Sequence, residues 1–308
     1  LRFNRAYVKL ARVTAFRAWT LALRPRQWAK NAFVVIPILF SRSLGDPHRW
    51  VLAVAAFVLF CLVSSSVYVI NDLFDCEQDR VHPEKRSRPI ASGAVGVQAA
   101  SLTAAVFALV GIGGSFALGA HFLAAVAVYF VLNVLYSTWL KNVVIIDVMA
   151  LASFYVLRVV GGAIAIGVGI SYWLVICTLL LSLFLGFSKR RHELTLMTEG
   201  AVNHRSVLAH YSPYFLDQMT AVVLAATVMS YALYTVSAET YAHFGTHGLL
   251  LTLPFVLYGI FRYMYLVHQQ GRGGSPTAIV LGDWPFLANL VLWLAACALI
   301  IYWPTPIL

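Results

Sequence analysis

Uncharged stretches close to twenty residues long alternate along this chain with short charged ones. Val51 to Ile70 is a twenty-residue run without a charge, and it ends abruptly at Asn71-Asp72. About 20 apolar residues suffice for a helix to cross a hydrocarbon core of roughly 30 Å. Nine spans are expected, at about 22–41, 50–70, 95–117, 119–139, 143–166, 170–188, 217–238, 246–267 and 284–303. Lipid offers backbone groups no hydrogen-bond partner, so the spans should be helices, and the alternating ten-residue pattern of a membrane barrel is absent. The expected fold is an all-α membrane protein of nine transmembrane helices, forming one integral domain over residues 1–308. No hydrophilic stretch is long enough to fold separately, and no period repeats along the chain.

The first span is irregular, because Arg24, Arg26 and Lys30 precede the short apolar run Asn31 to Phe40. Its N-terminal half is expected at the interface. The leader Leu1 to Thr20 is basic and amphipathic, without the compact apolar core or small-residue cleavage pattern of a signal peptide, and is expected to be retained.

Composition sharpens this picture. With 61% hydrophobic and 11% charged residues and a mean hydropathy of +0.80, the chain cannot be a soluble domain, in which about a quarter of residues are charged. A net charge of +10 would in a soluble protein suggest nucleic acid; in a membrane protein the distribution of Lys and Arg reports orientation first. With the N-terminus in the cytoplasm, 19 of the 22 basic residues fall on the cytoplasmic side, Arg42 and Arg49 fall outside, and Arg158 lies within a span. The charged loops 71–94, 139–143, 189–216 and 262–283 then share one face. That asymmetry predicts a one-sided cavity open to the cytoplasm; the expected location is a bacterial-type inner membrane. Cys61, Cys76, Cys177 and Cys297 show no metal-ligand spacing and read as structural.

The candidate chemistry sits where the second span ends. Five of the chain's twelve carboxylates, Asp72, Asp75, Glu77, Asp79 and Glu84, fall within 71–89, beside His82-Pro83 and the bases Lys85, Arg86 and Arg88. On a helix, Asn71, Asp75 and Asp79 recur every four residues and Asp72 joins them on one face. Clustered carboxylates repel one another unless a cation lies among them, and oxygen ligands of this kind suit Mg²⁺, which takes one or two carboxylates together with substrate phosphates and waters. Asn71, Asp75 and Asp79, assisted by Asp72, are therefore expected to hold the metal, and Asp72, Asp75 and Asp79 to carry catalysis. The metal would neutralise a leaving diphosphate while Lys85 and Arg88 hold its outer oxygens.

Here the sequence resembles the UbiA superfamily of membrane prenyltransferases, whose first signature, Asn-Asp-x-x-Asp-x-x-x-Asp, is matched by Asn71 through Asp79. The resemblance implies a helical bundle around a central cavity, a Mg²⁺-bound diphosphate at its polar mouth and a lateral opening for a polyprenyl chain. The family's second signature, Asp-x-x-x-Asp after the sixth helix, is replaced by Gly186-Phe187-Ser188-Lys189-Arg190-Arg191-His192-Glu193-Leu194. Bases stand where acids are expected, so a different anionic substrate is implied.

In this the chain resembles the phosphoribosyl-transferring branch of the superfamily. The likeness runs through Leu23 to Asn31, Leu140-Lys141 with Asp147, Val156 to Arg158, Lys189-Arg190 with Glu193-Leu194, and Tyr258 to Tyr263. It implies phosphoribosyl pyrophosphate as donor and a polyprenyl phosphate as acceptor. A metal-carboxylate cluster can hold the donor's diphosphate while a Lys/Arg cluster holds a separate phosphate; Lys189 and Arg190 are the foremost candidates, with topogenic charge as their alternative. Asp147 and Arg158 lie eleven residues apart, on about one helix face, and are expected to face the cavity or pair with a neighbouring helix. Lys30, Lys141, Arg262 and Tyr263 are further candidates for substrate contact, with snorkelling to the interface as the alternative. Trp139 and Tyr155 read as packing or interfacial residues. Two other functions stay open at this stage: ordinary prenyl transfer to an aromatic or other small acceptor, and lipid or anion transport, for which inverted repeats and broken helices are not evident. A homo-oligomer also stays open.

Overall fold

The computed structural model describes residues 15–81, 85–198, 206–271 and 276–303. His82, Pro83 and Glu84, and most of the basic leader, lie outside the described residues. Among the described residues thirteen α-helices follow in order: α1 Ala15–Leu23, α2 Ile36–Phe40, α3 Pro47–Phe74, α4 Cys76–Val81, α5 Val97–Ser115, α6 Ala120–Thr138, α7 Ile146–Ala165, α8 Tyr172–Thr198, α9 Pro213–Val236, α10 Ala238–Phe244, α11 Leu253–His268, α12 Pro276–Gly282 and α13 Trp284–Tyr302. Short 3-10 helices join several of them, and no strand occurs among the described residues.

Eight helices among the described residues are long and apolar enough to cross a membrane, beginning with Pro47–Phe74 and ending with Trp284–Tyr302. They coincide with the second to ninth expected spans. The first, 22–41, is instead broken into the end of α1, a 3-10 helix Pro25–Val34, and α2. Its sequence explains the break. Arg24 takes a left-handed conformation (φ 51°, ψ 53°) before Pro25, and Pro37 restarts the chain at the head of α2. Where proline does fit, it starts helices cleanly: Asp46 before Pro47, Ser212 before Pro213 and Asp283 before Trp284-Pro285 each accept a backbone N–H from the first turn of α3, α9 and α13. α8 runs past its expected end at 188 into the basic segment, because Glu193 meets Arg190 at i,i+3 and Lys189 at i,i+4 on the same helix.

With hydrophobicity equal inside and out, membrane helices associate through close packing of small residues. Gly162 on α7 lies against the backbone of the 3-10 helix, where an added Cβ would fall 2.0 Å from the Val34 carbonyl oxygen. Phe60, Phe122, Tyr129 and Phe154 interlock edge to face at this junction of α3, α6 and α7. On the other side of α7, the bundle encloses an apolar cavity of about 860 Å³ lined by α8, α9, α11 and α13 together with Phe33 and Phe40. The architecture is a helical bundle whose cavity reaches Arg49 at the start of α3, while the acidic motif lies at the other end of that helix and does not line the cavity.

Candidate active site

The acidic motif lies at the C-terminal end of α3. A kink at Asp75 (φ −88°, ψ 1°) separates α3 from α4, yet backbone bonds from Asp75 N to the Asn71 carbonyl (3.0 Å) and from Asp79 N to the Asp75 carbonyl (2.8 Å) carry the helical spacing through it. The side chains divide into two sets. Asp72 and Asp79 are both buried and converge on a single nitrogen: Arg88 Nη1 donates to Asp72 Oδ1 at 3.0 Å and to Asp79 Oδ2 at 2.7 Å. Arg24 Nη2 also donates to Asp72 Oδ1, at 2.5 Å. Asp75 instead accepts from Asn71 Nδ2 (3.0 Å) and from Lys141 Nζ (2.9 Å), the latter reaching in from the 3-10 turn between α6 and α7. Burial pushes the Asp79 carboxyl above its usual range, against the downward pull of Arg88 and, more weakly, Lys85. Glu77 stands apart, exposed and paired with Arg80 at the surface.

A second network crosses from α7 to α8. Asp147 and Arg190 are completely buried, and Arg190 Nε donates to Asp147 Oδ2 at 2.5 Å. The rest of the guanidinium is engaged by Glu193 Oε2 (2.6 Å) and the Tyr136 hydroxyl (3.1 Å). Asp147 Oδ1 accepts from the Tyr211 hydroxyl at 2.7 Å, and that hydroxyl accepts the Ile145 N–H at 2.6 Å. Burial, with the Asp147 carboxylate beside it, holds the Tyr211 phenol well above its usual range. Ile145 has φ 68°, an outlier for a β-branched residue, held by this pair of hydrogen bonds next to the site. Lys189, one residue away, is partly exposed and lies 3.7 Å from Glu193.

Arg158 belongs to neither network. It is 3% exposed, and it donates to Asn31 Oδ1 (2.6 Å), the Phe154 carbonyl (2.8 Å) and the Tyr129 hydroxyl (2.7 Å), with its guanidinium over the rings of Tyr129 and Tyr155. Tyr68, Tyr155 and Arg158 are the electrostatic neighbours of Lys30. Asp147 and Arg158 thus share a helix without sharing partners. Arg262 forms a two-pronged ion pair with Asp283 (3.1 and 2.8 Å), the N-cap of α13. Tyr263 is buried at 2% exposure, and its hydroxyl has no hydrogen-bond partner among the described residues.

Several participants were not singled out by sequence reasoning as site residues: Arg24, Asn31, Tyr68, Tyr129, Tyr136 and Tyr211. Arg24 and Asn31 had a signal, since both flank Lys30 in the polar opening of an otherwise apolar span. The tyrosines had none, because an aromatic in a membrane helix looks the same whether its hydroxyl meets lipid headgroup, helix or substrate.

The carboxylates fit a hard divalent cation. Asp72 and Asp79 already bring two carboxylate oxygens onto one cationic atom, and Mg²⁺ is ordinarily held by one or two carboxylates with phosphates and waters completing its shell. Among the described residues no group of three or more His, Cys, Asp and Glu side chains gathers as a complete ligand set, so phosphate oxygens would have to supply the remainder. A bundle of membrane-length helices with carboxylates and bases clustered at one end, and an apolar cavity within it, defines a membrane-embedded transferase. The chain belongs to the UbiA prenyltransferase family, whose pattern matches residues 32–290. It is 32% identical over 286 residues to the decaprenyl-phosphate phosphoribosyltransferase of Corynebacterium glutamicum, covering 91% of this chain and 86% of that one. Identity to the Mycobacterium tuberculosis protein of the same name is 31% over 278 residues, with 89% and 91% covered. Among solved structures, a UbiA homologue from Archaeoglobus fulgidus bound to GPP and Mg²⁺ superposes with a TM-score of 0.69 at 18% identity, covering 92% of this chain and 99% of that one.

Proposed function

We propose that this protein transfers 5-phosphoribose from phosphoribosyl pyrophosphate to a polyprenyl phosphate of decaprenyl type, releasing diphosphate. The product, polyprenyl-phosphoryl-5-phosphoribose, is a lipid-carried pentose suited to cell-envelope polysaccharide synthesis, and the reaction takes place at the cytoplasmic face of a bacterial-type inner membrane. The observation that carries this reading is the single acidic cluster. Asp72, Asp75 and Asp79 make one diphosphate site, and the position where ordinary family members carry a second acidic pair holds Lys189 and the buried Arg190–Asp147 pair. The names of relatives about 31–32% identical over some nine tenths of the chain support it.

The lipid phosphate oxygen attacks C1 of the ribose as the bond from C1 to the diphosphate oxygen breaks, and diphosphate departs with the electron pair. The attacking phosphate is already anionic near neutral pH, so no general base is needed. Mg²⁺, held through Asn71, Asp75 and Asp79 with help from Asp72, would supply charge neutralisation on the leaving group. Arg88, Arg24, Lys85 and Lys141 surround the same carboxylates and would release them to take up diphosphate oxygens as the donor enters, exchanging one anion for another. Half-buried bases already gathered at the site would stabilise the charge that develops on the leaving group. Incubating the purified protein in detergent with labelled phosphoribosyl pyrophosphate, polyprenyl phosphate and Mg²⁺ tests this directly: labelled lipid product and free diphosphate are expected, and turnover of a prenyl diphosphate with an aromatic acceptor in its place overturns it.

A further inference from the structure

Lys141 reaches Asp75 from 66 residues further along the chain, out of the short 3-10 turn Leu140–Asn142. So short a turn can aim a side chain only if the turn itself is held. Four residues on, Ile145 has φ 68° and ψ −46°, and the Ile146 N–H donates to the Val144 carbonyl at 2.8 Å. This is a γ-turn of the rare, strained form, with a β-branched residue at its centre. A backbone conformation of this kind persists only where its surroundings impose it, and such places cluster at functional sites.

The imposing group is Tyr211. Its hydroxyl accepts the Ile145 N–H at 2.6 Å and donates to Asp147 Oδ1 at 2.7 Å. The other oxygen of Asp147 is taken by Arg190 Nε at 2.5 Å, and both of these side chains are at 0% exposure. They present no surface to a ligand; what they fix is the Tyr211 hydroxyl. The Tyr211 ring is fixed as well, stacked on Phe215 at 5.9 Å and buried among Val207, Leu208 and Leu216. The 3-10 helix Ser206–His210 just before it lies against the turn Leu140–Asn142. The network at the start of α7 and α9 thus ends on the one segment that carries Lys141 to the acidic motif.

We infer that Tyr211 is a positioning residue for the donor site: its hydroxyl latches the strained turn at Ile145, so that Lys141 is presented to Asp75 and to the diphosphate bound there. The diphosphate part rests on the transfer proposed above. Lysine is a point charge on a flexible stem, and a loose turn beneath it adds states that must be frozen when the anion binds, which lowers affinity. Tyr211→Phe removes the latch alone, because the ring keeps its stack on Phe215.

Binding of inorganic diphosphate in the presence of Mg²⁺, measured by calorimetry on the purified protein in detergent, reads the latch without turnover. Lys141→Gln should weaken binding about tenfold or more, the scale of one charged hydrogen bond. Tyr211→Phe should weaken it about threefold to tenfold. In the Lys141→Gln background, however, Tyr211→Phe should cost less than about a further twofold, because the two residues act through one contact. Equal losses in both backgrounds mean that the hydroxyl only stabilises the fold, and the inference is overturned. Adding Ile145→Gly to Tyr211→Phe should recover part of the affinity, since glycine takes positive φ freely and the Ile145 side chain is 42% exposed; a further loss there also overturns it. Lys141→Gln that binds Mg²⁺ and diphosphate as wild type does would instead remove Lys141 from the donor site and count against the transfer reading itself.

Discussion

Carboxylate-to-amide substitutions keep shape and remove charge, which makes them the sharpest test at the scale of single residues. Asp75→Asn and Asp79→Asn are expected to abolish turnover while the protein still inserts and purifies, because each removes a negative charge from the cluster proposed to hold the metal. Near-normal activity of either variant at limiting Mg²⁺ would remove the metal assignment. Lys189 and Arg190, alike in sequence, should separate. Arg190 lies at 0% exposure against Asp147 at 0%, so Arg190→Ala strands a buried carboxylate and should cost about 3–5 kcal/mol of stability. A thermal melt in detergent reads that loss, and adding Asp147→Asn should recover part of it. Lys189→Ala should leave the melt unchanged and weaken apparent donor affinity about tenfold to a hundredfold, as expected for one charged hydrogen bond made equally in ground and transition states. If the melts of the two variants match, the distinction drawn from burial is wrong. Sequence spacing placed Asn71, Asp72, Asp75 and Asp79 together, since a 3.6-residue period is local. It could not tell Arg190 from Lys189, since which of two neighbours points inward depends on the rotation of α8 against α7.

At the scale of elements, the 3-10 helix Pro25–Val34 is the piece on which the site depends most, and it was the least legible in the sequence. Apolar length alone identified eight of the nine expected spans, because a membrane fixes helix length by its thickness. Residues 22–41 satisfied that length criterion only by including Arg24, Arg26 and Lys30, and the chain resolves the conflict by breaking into short pieces that carry Arg24 to Asp72 and Asn31 to Arg158. What keeps this broken element in place is the absence of a side chain on Gly162. A methyl group there would meet the Val34 carbonyl oxygen at 2.0 Å, backbone that cannot swing aside. Gly162→Ala should therefore push the 3-10 helix off α7, a destabilisation of about 1–3 kcal/mol in the manner of an overpacked core, and should lower activity because Asn31 and Lys30 move with the helix. The melting temperature and the specific activity measured on the same preparation check this; full activity with an unchanged melt would show that the close contact does not position the site.

Over the whole molecule, charge is distributed by function. Acids that meet bases in pairs, such as Asp283 with Arg262 and Asp147 with Arg190, lock helix ends and helix faces. The carboxylates of the motif are each held by bases that a diphosphate and its metal would recruit, and Lys30 and Arg158 are left with no acid among the described residues. The substrate pair proposed above carries three anionic groups, two on the donor and one on the lipid acceptor, whereas a prenyl diphosphate with a neutral aromatic acceptor carries one. The molecule should therefore discriminate strongly in direct competition. With both substrate pairs present at equal concentration and Mg²⁺ in excess, product should form from phosphoribosyl pyrophosphate and long-chain polyprenyl phosphate, and none from prenyl diphosphate and aromatic acceptor. Chelating the metal should stop the first reaction and restoring it should recover turnover, because without the metal's charge diphosphate would depart beside three carboxylates that Arg24, Arg88 and Lys141 only partly offset. Formation of the prenylated aromatic product in that mixture would mean that the bases at 189 and 190 do not exclude a second metal-bound diphosphate geometry, and the chain would then be an ordinary prenyl transferase of its family.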